Sequence, residues 1–220
     1  MMALLQFYSI PKFGEKMEIK KVILGDIEVN CYLISTEKAA VVIDPGFRSA
    51  EVLDFLKSAK EKERLILLTH CHFDHIGFAD ELSALTDTKI AIGEKDAFAL
   101  SDNYVNLSAP FGAPLSPFNA DVLLADNQEV NVGDITFKVI HTPGHTVGGV
   151  CYLCGDIMFS GDTLFNGSIG RTDFPGGDFS VLSATVKKLY TLPDDTVLLS
   201  GHGEETTIIN EKRYNPFVRG

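Results

Sequence analysis

Short runs of β-branched and other apolar residues recur along the chain, separated by turn-forming residues, and each run predicts a strand. The predicted strands are residues 19–24, 29–34, 40–43, 65–68, 90–92, 135–140, 149–153, 157–159 and 197–199. Apolar residues at helical spacing predict helices at residues 50–60, 78–85 and 179–189, the last with Asp178 as its N-cap.

The order of these elements predicts the fold class. Strands come first, helices then interleave with strands, and strands dominate again toward the C-terminus. This order favours an α/β sandwich, in which two sheets face each other and helices cover their outer sides, over a parallel doubly wound sheet. No linker divides the chain, so we expect a single domain over residues 1–220, with residues 1–16 as a possible N-terminal extension. Residues 101–119 show neither the helical nor the strand spacing of apolar residues. They predict a long surface loop of the kind that often borders a functional site.

Composition narrows the classes of partner and compartment. Asp and Glu number 30 against 19 Lys and Arg, and the net charge of −11 disfavours nucleic acid as a partner. The longest apolar runs cover a few residues, whereas about 20 are needed to cross a bilayer, so no membrane association is expected. The first residues lack the basic region and cleavage site of an export signal, which predicts a cytoplasmic protein.

The four cysteines do not form the dense pattern of a disulfide framework, which agrees with a reducing compartment. Cys151 and Cys154 have CxxC spacing, but they fall in or next to a predicted strand. An offset of three places their side chains on opposite faces of a strand. We therefore expect buried structural cysteines at these positions and no redox or zinc motif.

All six histidines lie in three clusters, each just past the end of a predicted strand. The clusters are HCHFDH (70–75), HTPGHT (141–146) and GHG (201–203), and the segment SGDT (160–163) adds a carboxylate after a further strand. Imidazole and carboxylate groups in this number suit a pair of metal ions. The predicted ligands are His70, His72, Asp74, His75, Asp162, His202 and one histidine of the turn, His141 or His145. Because no thiolate is included, Zn²⁺, Fe or Mn²⁺ all fit this set, with Zn²⁺ preferred.

The motifs HCHFDH, HTPGHT, GDTLF and GHG together resemble those of the metallo-β-lactamase superfamily. The segments LFNGSIGRTDFPGGD (164–178) and EKRYNPF (211–217) are similar to those of small glyoxalase II-like hydrolases. The resemblance implies a four-layer αββα sandwich. It also implies that His70, His72 and His145 hold one metal ion, that Asp74, His75 and His202 hold the second, and that Asp162 bridges both. His141 matches no ligand position of the family, so we expect a structural role in its turn.

The resemblance implies a hydrolase that acts on S-2-hydroxyacylglutathione-type thioesters. Two cations that share a carboxylate also share a water, and its pKa falls toward about 7, so the predicted nucleophile is a metal-bridging hydroxide. Asp74 and Asp162 are the predicted catalytic residues, with Asp74 able to orient the water or accept its proton. A thiolate leaving group departs without much acid assistance, which suits a small-molecule thioester substrate.

Other activities of the superfamily remain as alternatives. Persulfide dioxygenases are similar around Gly170-Arg171-Thr172-Asp173 but use a single iron held by two histidines and an aspartate. Zinc β-lactamases replace the bridging aspartate and are usually exported, and RNA-processing members would need a basic surface. A non-catalytic metal-binding domain would require a closed coordination shell, whereas seven ligands for two ions leave open positions.

Arg171 is the predicted substrate-binding residue, together with the loop 101–119. Classical glyoxalase II has lysine and tyrosine where this chain has Arg171 and Asp173. An arginine fork suits a carboxylate, either on the substrate or on Asp173 or Asp178 of the same loop. Both roles of Arg171, anion recognition and a surface ion pair, are open at this stage.

Overall fold

A computed structural model describes residues 17–220, and the predicted extension 1–16 lies outside the described residues. The described strands form two six-stranded sheets and one small hairpin. The first sheet has its strands in chain order: β1 (Glu18–Leu24), β2 (Val29–Ser35), β3 (Ala39–Ile43), β4 (Glu63–Leu68), β5 (Ile90–Gly93) and β6 (Val122–Leu124). Its first three strands are antiparallel, and β3 to β6 run parallel.

The second sheet is built from the C-terminal half of the chain. Its strands are β7 (Glu129–Val132), β8 (Ile135–His141), β9 (Val150–Cys154), β10 (Ile157–Gly161), β13 (Val197–Ser200) and β14 (Thr206–Thr207), in the spatial order β14-β13-β10-β9-β8-β7. The hairpin consists of β11 (Leu164–Phe165) and β12 (Ser168–Ile169). Strands β10 and β13 are parallel, and β8 runs in the same direction because β9 is antiparallel to both β8 and β10.

Five α-helices cover the outer faces of the sheets within the described range. They are α1 (Ala50–Ser58), α2 (Phe73–Ile76), α3 (Ala79–Thr86), α4 (Phe179–Leu189) and α5 (Ile208–Tyr214). Helices α1 and α4 begin at side-chain caps, because Ser49 accepts from the Val52 N–H and Asp178 accepts from the Val181 N–H. The predicted N-cap at Asp178 is confirmed.

Three apolar clusters hold the layers together. The central cluster lies between the sheets and includes Val41 and Phe137. A second cluster packs α1 and α3 on the first sheet through residues such as Val42, and a third packs α4 and α5 on the second sheet. Val41 and Val42 point to different clusters because successive strand residues alternate between faces. The order of layers is helix, sheet, sheet, helix, so the predicted αββα sandwich is confirmed.

The two cysteines of the CxxC spacing behave as the strand pattern predicts. Cys151 packs in the outer cluster with α4, and Cys154 packs in the central cluster. Both thiols are buried and unpaired, and burial raises the pKa of each to about 11. Neither thiol is therefore available as a reactive thiolate at neutral pH.

The structure corrects several predicted element boundaries. The predicted helix 50–60 ends at Ser58, and the predicted helix 78–85 is α3, separated from the short α2 by Gly77 and Phe78. Sequence patterns missed the short strands β6, β7, β11, β12 and β14 and the helix α5. Most of these strands have two or three residues, too few for alternation to show, and α5 is a mixed, largely polar segment that begins at the Thr207 cap.

Candidate metal centre

The predicted ligands converge at one edge of the sandwich because the strands that precede them end there. Strands β8, β10 and β13 of the second sheet run in one direction, and His145, Asp162 and His202 follow their C-terminal ends. Residues 70–75 follow β4 of the first sheet, and the Val150 N–H donates to the Thr69 carbonyl at 2.8 Å to join the two sheets at this edge. Both sheets therefore contribute ligands to one site.

Three histidines form the first ligand group: His70, His72 and His145. Each offers a ring nitrogen, and these nitrogens all lie within 4.8 Å of one another. His70 Nε2 and His72 Nδ1 are 3.1 Å apart, close to the separation of about 3.4 Å expected for two nitrogens bound tetrahedrally to one zinc ion. The group matches the set that the resemblance implies for one metal ion.

Asp74, His75 and His202 form the second ligand group, whose ligand atoms also lie within 4.8 Å of one another. Asp74 and His75 sit on the single turn of α2, and Asp74 Oδ2 is 3.3 Å from His202 Nε2 and 3.6 Å from His75 Nε2. Gly201 keeps this space open, since a methyl group at that position would overlap the Asp162 carboxylate and the His75 ring.

Asp162 lies between the two groups. Its Oδ1 is 3.4 Å from His75 Nε2 in the second group, and its Oδ2 is 3.6 Å from His145 Nε2 in the first. Asp162 Oδ2 also lies 3.7 Å from His202 Nε2 of the second group, so this one carboxylate faces both ligand groups. This is the position that a bridging ligand requires, and all seven predicted ligands are now in one cluster, which we call the metal-binding cluster.

Unsatisfied polar atoms show that this cluster fits metal ions. The buried atoms without a hydrogen-bond partner include His75 Nε2, His145 Nε2 and Asp162 Oδ1, all within the cluster. Leaving such groups unpaired in the interior is costly, and bound cations are the usual compensation. In two of the histidines, the second ring nitrogen contacts a backbone carbonyl, which fixes the orientation of the ring. His145 Nδ1 lies 2.7 Å from the Arg171 carbonyl, and His202 Nδ1 lies 3.1 Å from the Ile27 carbonyl.

The electrostatics differ between the two ligand groups. In the second group, Asp162 and Asp74 outweigh burial and raise the pKa of His75 and of His202, so a bound cation would displace a proton from each ring. The first group and Asp162 already favour the protonation states that metal ligands need. Burial lowers the pKa of His70 well below its ordinary value and that of His72 to about 3, so both rings stay neutral. Burial alone would raise the pKa of Asp162, but His75, His70 and His145 outweigh it and hold that pKa well below the ordinary range. Neutral imidazoles and an ionised carboxylate are the forms that bind a cation.

Two buried aspartates support the cluster, and sequence reasoning missed both. Asp44 follows β3 and accepts from the Thr69 N–H at 2.8 Å and from the Thr69 hydroxyl at 2.7 Å, and its Oδ2 lies 2.9 Å from His75 Nδ1. The signal was available, because Asp44 ends a buried strand as Asp162 does. Asp44 adopts a left-handed conformation with φ 54°, which turns the chain out of the sheet.

Asp96 is the second missed residue and carries no recognisable signal, since it lies in an irregular segment after β5. Its carboxylate accepts from the Cys71 N–H at 3.1 Å, the Thr146 hydroxyl at 2.7 Å and the Gly148 N–H at 2.6 Å. Cys71 lies between two ligands of the first group, and Thr146 follows the third. Asp96 therefore fastens the two ligand-bearing loops to each other, and its burial raises its pKa.

His141 and Arg171, the other two residues discussed in the sequence analysis, lie outside the metal-binding cluster. His141 Nε2 lies 3.0 Å from the Val147 carbonyl, which agrees with the predicted structural role in its turn. Arg171 donates from Nε and Nη2 to the two oxygens of Asp173, each at 2.7 Å, and its guanidinium lies 3.8 Å from the centre of the Phe174 ring. The surface ion pair is thus present, while substrate recognition by Arg171 stays a prediction.

The segments 164–178 and 211–217 pack against each other. Buried Glu211 accepts from the Gly167 N–H at 3.0 Å in the β11–β12 hairpin, and Asn215 Nδ2 donates to the Ser168 carbonyl at 3.1 Å. Glu211 and Asn215 are also bonded to each other at 2.9 Å. These two segments, which carry the resemblance to small hydrolases, form one structural unit that fixes α5 to the hairpin.

Comparison with known proteins agrees with this geometry. Residues 24–202 match the model of the metallo-beta-lactamase superfamily, a range that contains every ligand of the cluster. The chain belongs to the metallo-beta-lactamase superfamily. As a member of this superfamily with a His and Asp site, it is a metal-dependent hydrolase that uses divalent metal ions. None of the helices between residues 17 and 220 combines the length and apolar character needed to cross a membrane.

Individual superfamily members resemble the chain over nearly its whole length. Hydroxyacylglutathione hydrolase GloC of Haemophilus influenzae is 37% identical over 213 residues, which cover 92% of this chain and 98% of that protein. The crystal structure of BLEG-1 B3 metallo-beta-lactamase has a TM-score of 0.83 at 39% identity and covers 92% of this chain and 100% of its own. The crystal structure of TTHA1623 in a di-iron-bound form has a TM-score of 0.79 at 35% identity, with coverages of 90% and 99%.

Proposed function

We propose that this metallo-hydrolase cleaves thioesters of the S-2-hydroxyacylglutathione type, with two divalent ions, Zn²⁺ in preference to Fe or Mn²⁺. The observation that carries the proposal is the position of Asp162, whose carboxylate lies 3.6 Å from His145 Nε2 in the first ligand group and 3.4 Å from His75 Nε2 in the second. A carboxylate shared by two ions is typical of hydrolytic two-metal sites. The similarity to a hydroxyacylglutathione hydrolase supports the substrate class.

Each group of the cluster has a distinct part in this proposal. When bound, the metal ions supply an activated water and polarise the substrate carbonyl. Asp74 Oδ2 lies 3.6 Å from His75 Nε2 and 3.3 Å from His202 Nε2, and this carboxylate is placed to orient that water and to accept its proton. The pKa of Asp74 is lowered, because His75 and His202 outweigh the effect of burial, so the carboxylate is ionised and able to accept a proton.

The leaving group of a thioester suits the surroundings of the cluster. Asp44 and Asp96 lie behind the ligands, and each accepts hydrogen bonds from the backbone, so neither is free to protonate a leaving group. A thiolate with a pKa near 8.5 needs little such assistance, in contrast to an amine or an alkoxide. Four buried, unpaired cysteines also suit the reducing cytoplasm that we propose as its compartment.

Metal analysis and a substrate panel test the proposal together. Protein purified without added metal should contain about two ions per chain and hydrolyse S-lactoylglutathione, and removal of the ions with a chelator should abolish hydrolysis. A β-lactam is the control substrate, because the similar structure BLEG-1 is that of a metallo-beta-lactamase. The β-lactam should react far more slowly than S-lactoylglutathione. One iron per chain with sulfite release from glutathione persulfide would contradict the proposal and favour a dioxygenase.

A further inference from the structure

Three phenylalanines from separate segments form a continuous surface beside the first ligand group. Phe73 follows the ligand His72, Phe111 lies on the loop 101–119, and Phe174 lies on the loop after the hairpin. Phe73 and Phe111 are stacked with centroids 5.2 Å apart, and Phe111 meets the Phe174 ring edge to face at 6.2 Å. We call these three residues the aromatic wall.

The aromatic wall reaches the metal-binding cluster directly. The Phe174 ring meets the His72 ring edge to face, with centroids 6.0 Å apart. An occupant of the wall would therefore lie within one side-chain length of the first ligand group. Unlike the phenylalanines of the core, these rings are accessible: Phe111 is 53% exposed, and Phe73 and Phe174 are half-buried.

The loop that carries Phe111 is fastened by its own hydrogen bonds. Asn103 donates to the Leu115 carbonyl at 3.0 Å and accepts from the Ser108 hydroxyl at 2.8 Å. The Phe73 N–H donates to the Asn106 carbonyl at 2.8 Å, which ties this loop to the metal-binding motif. The wall is thus formed before any substrate binds, so binding does not have to order it.

The charges around the wall favour an uncharged occupant. Arg171 lies 3.8 Å over the Phe174 ring, but Asp173 accepts from two of its donors and neutralises its charge. The guanidinium therefore closes one side of Phe174 by cation–π contact, and its fork is engaged by a carboxylate of the same loop. What the wall presents to a bound molecule is aromatic surface, which binds apolar groups.

We propose that the aromatic wall is a specificity site for an apolar, ring-sized substituent on the thioester substrate. This inference rests on the proposed thioesterase function and names a feature of its substrate. The substituent belongs to the acyl group, because the thiol of the proposed substrate class, glutathione, has no ring. Contact with one of these rings contributes up to about a tenfold preference over a substrate that lacks the substituent.

Neutral thioesters of three kinds test this proposal on the metal-loaded protein. S-acetyl-N-acetylcysteamine has no ring, S-phenylacetyl-N-acetylcysteamine has a ring on the acyl side, and S-benzyl thioacetate has one on the thiol side. Wild-type kcat/KM should be about tenfold higher for the thioester with a ring on the acyl side than for the ring-free thioester, and a preference for the thiol-side ring alone would contradict the proposal. Phe111→Ala and Phe174→Ala should each reduce the ratio of these two kcat/KM values severalfold.

Phe217→Ala is the matched control, because Phe217 is 55% exposed, close to the 53% of Phe111, and lies on the C-terminal segment after α5. It should keep the full preference. Equal preferences in wild type and in the two wall variants, with all proteins active, would overturn the aromatic wall alone. A metal-loaded wild type that hydrolyses none of these thioesters and no S-lactoylglutathione would overturn the proposed function, and the wall proposal with it.

Discussion

The metal-binding cluster and the aromatic wall are neighbours that differ in almost every physical respect. The cluster is buried, its ligands follow strands of both sheets, and aspartates behind it fix the loops that carry them. The wall is partly exposed, lies on loops, and is held by local hydrogen bonds. The difference teaches that the two sheets position the groups that bind metal, whereas loops supply the surface that meets the substrate.

The largest effect should come from the centre of the cluster. Asp162→Ala removes the carboxylate that faces both ligand groups, so two cations would repel each other without a shared anion. We expect kcat to fall by several orders of magnitude while the fold survives, as measured by steady-state kinetics and circular dichroism. If this variant hydrolysed thioesters at a rate close to that of the parent protein, the two-metal hypothesis would be wrong.

A smaller effect, on metal affinity, is expected from Asp96, which joins the two loops that carry the first ligand group. Asp96→Asn keeps the shape of the side chain but turns an amide N–H₂ toward a backbone N–H or the Thr146 hydroxyl. The loops that bear His70, His72 and His145 would then separate. We expect metal affinity to fall by about 10- to 100-fold, as measured by competition with a chromophoric chelator.

Glu211→Gln is the matched control for Asp96→Asn. Glu211 is also a fully buried carboxylate that accepts several hydrogen bonds, but its partners lie in the hairpin, in β14 and in α5. Its replacement should reduce the free energy of unfolding by about 1–3 kcal/mol and leave metal affinity unchanged. Equal losses of metal affinity in the two variants would show that Asp96 acts only through general stability.

The smallest effect concerns the edge of the wall. Arg171→Ala removes both the ion pair with Asp173 and the cation over Phe174. If Arg171 recognises an anionic substrate, Arg171→Ala should raise KM for S-lactoylglutathione with kcat little changed. Arg171→Lys should restore KM only in part, because lysine lacks the two-pronged guanidinium group. Steady-state kinetics on S-lactoylglutathione and on an uncharged thioester separate the roles: equal KM changes on both substrates would contradict anion recognition.

Local patterns were sufficient for the long, strongly periodic elements and for the ligand motifs. Helix α4 is observed over the predicted residues 179–189, and the seven predicted ligands lie together in the metal-binding cluster. The short strands β6 and β14 and the helix α5 could not be predicted from such patterns. Strand β6 pairs with β5 across the loop 101–119, and Glu211 and Asn215 fix α5 to the β11–β12 hairpin. Local propensity does not record such contacts.

Side-chain types and their positions just past strand ends were sufficient to predict the metal ligands of this protein. The surroundings of those ligands depend on the tertiary structure. Asp96 contacts both ligand-bearing loops, and Phe111 meets Phe174 across more than 60 residues of chain. Such contacts depend on how the sheets and loops pack, and no periodicity or short motif encodes them.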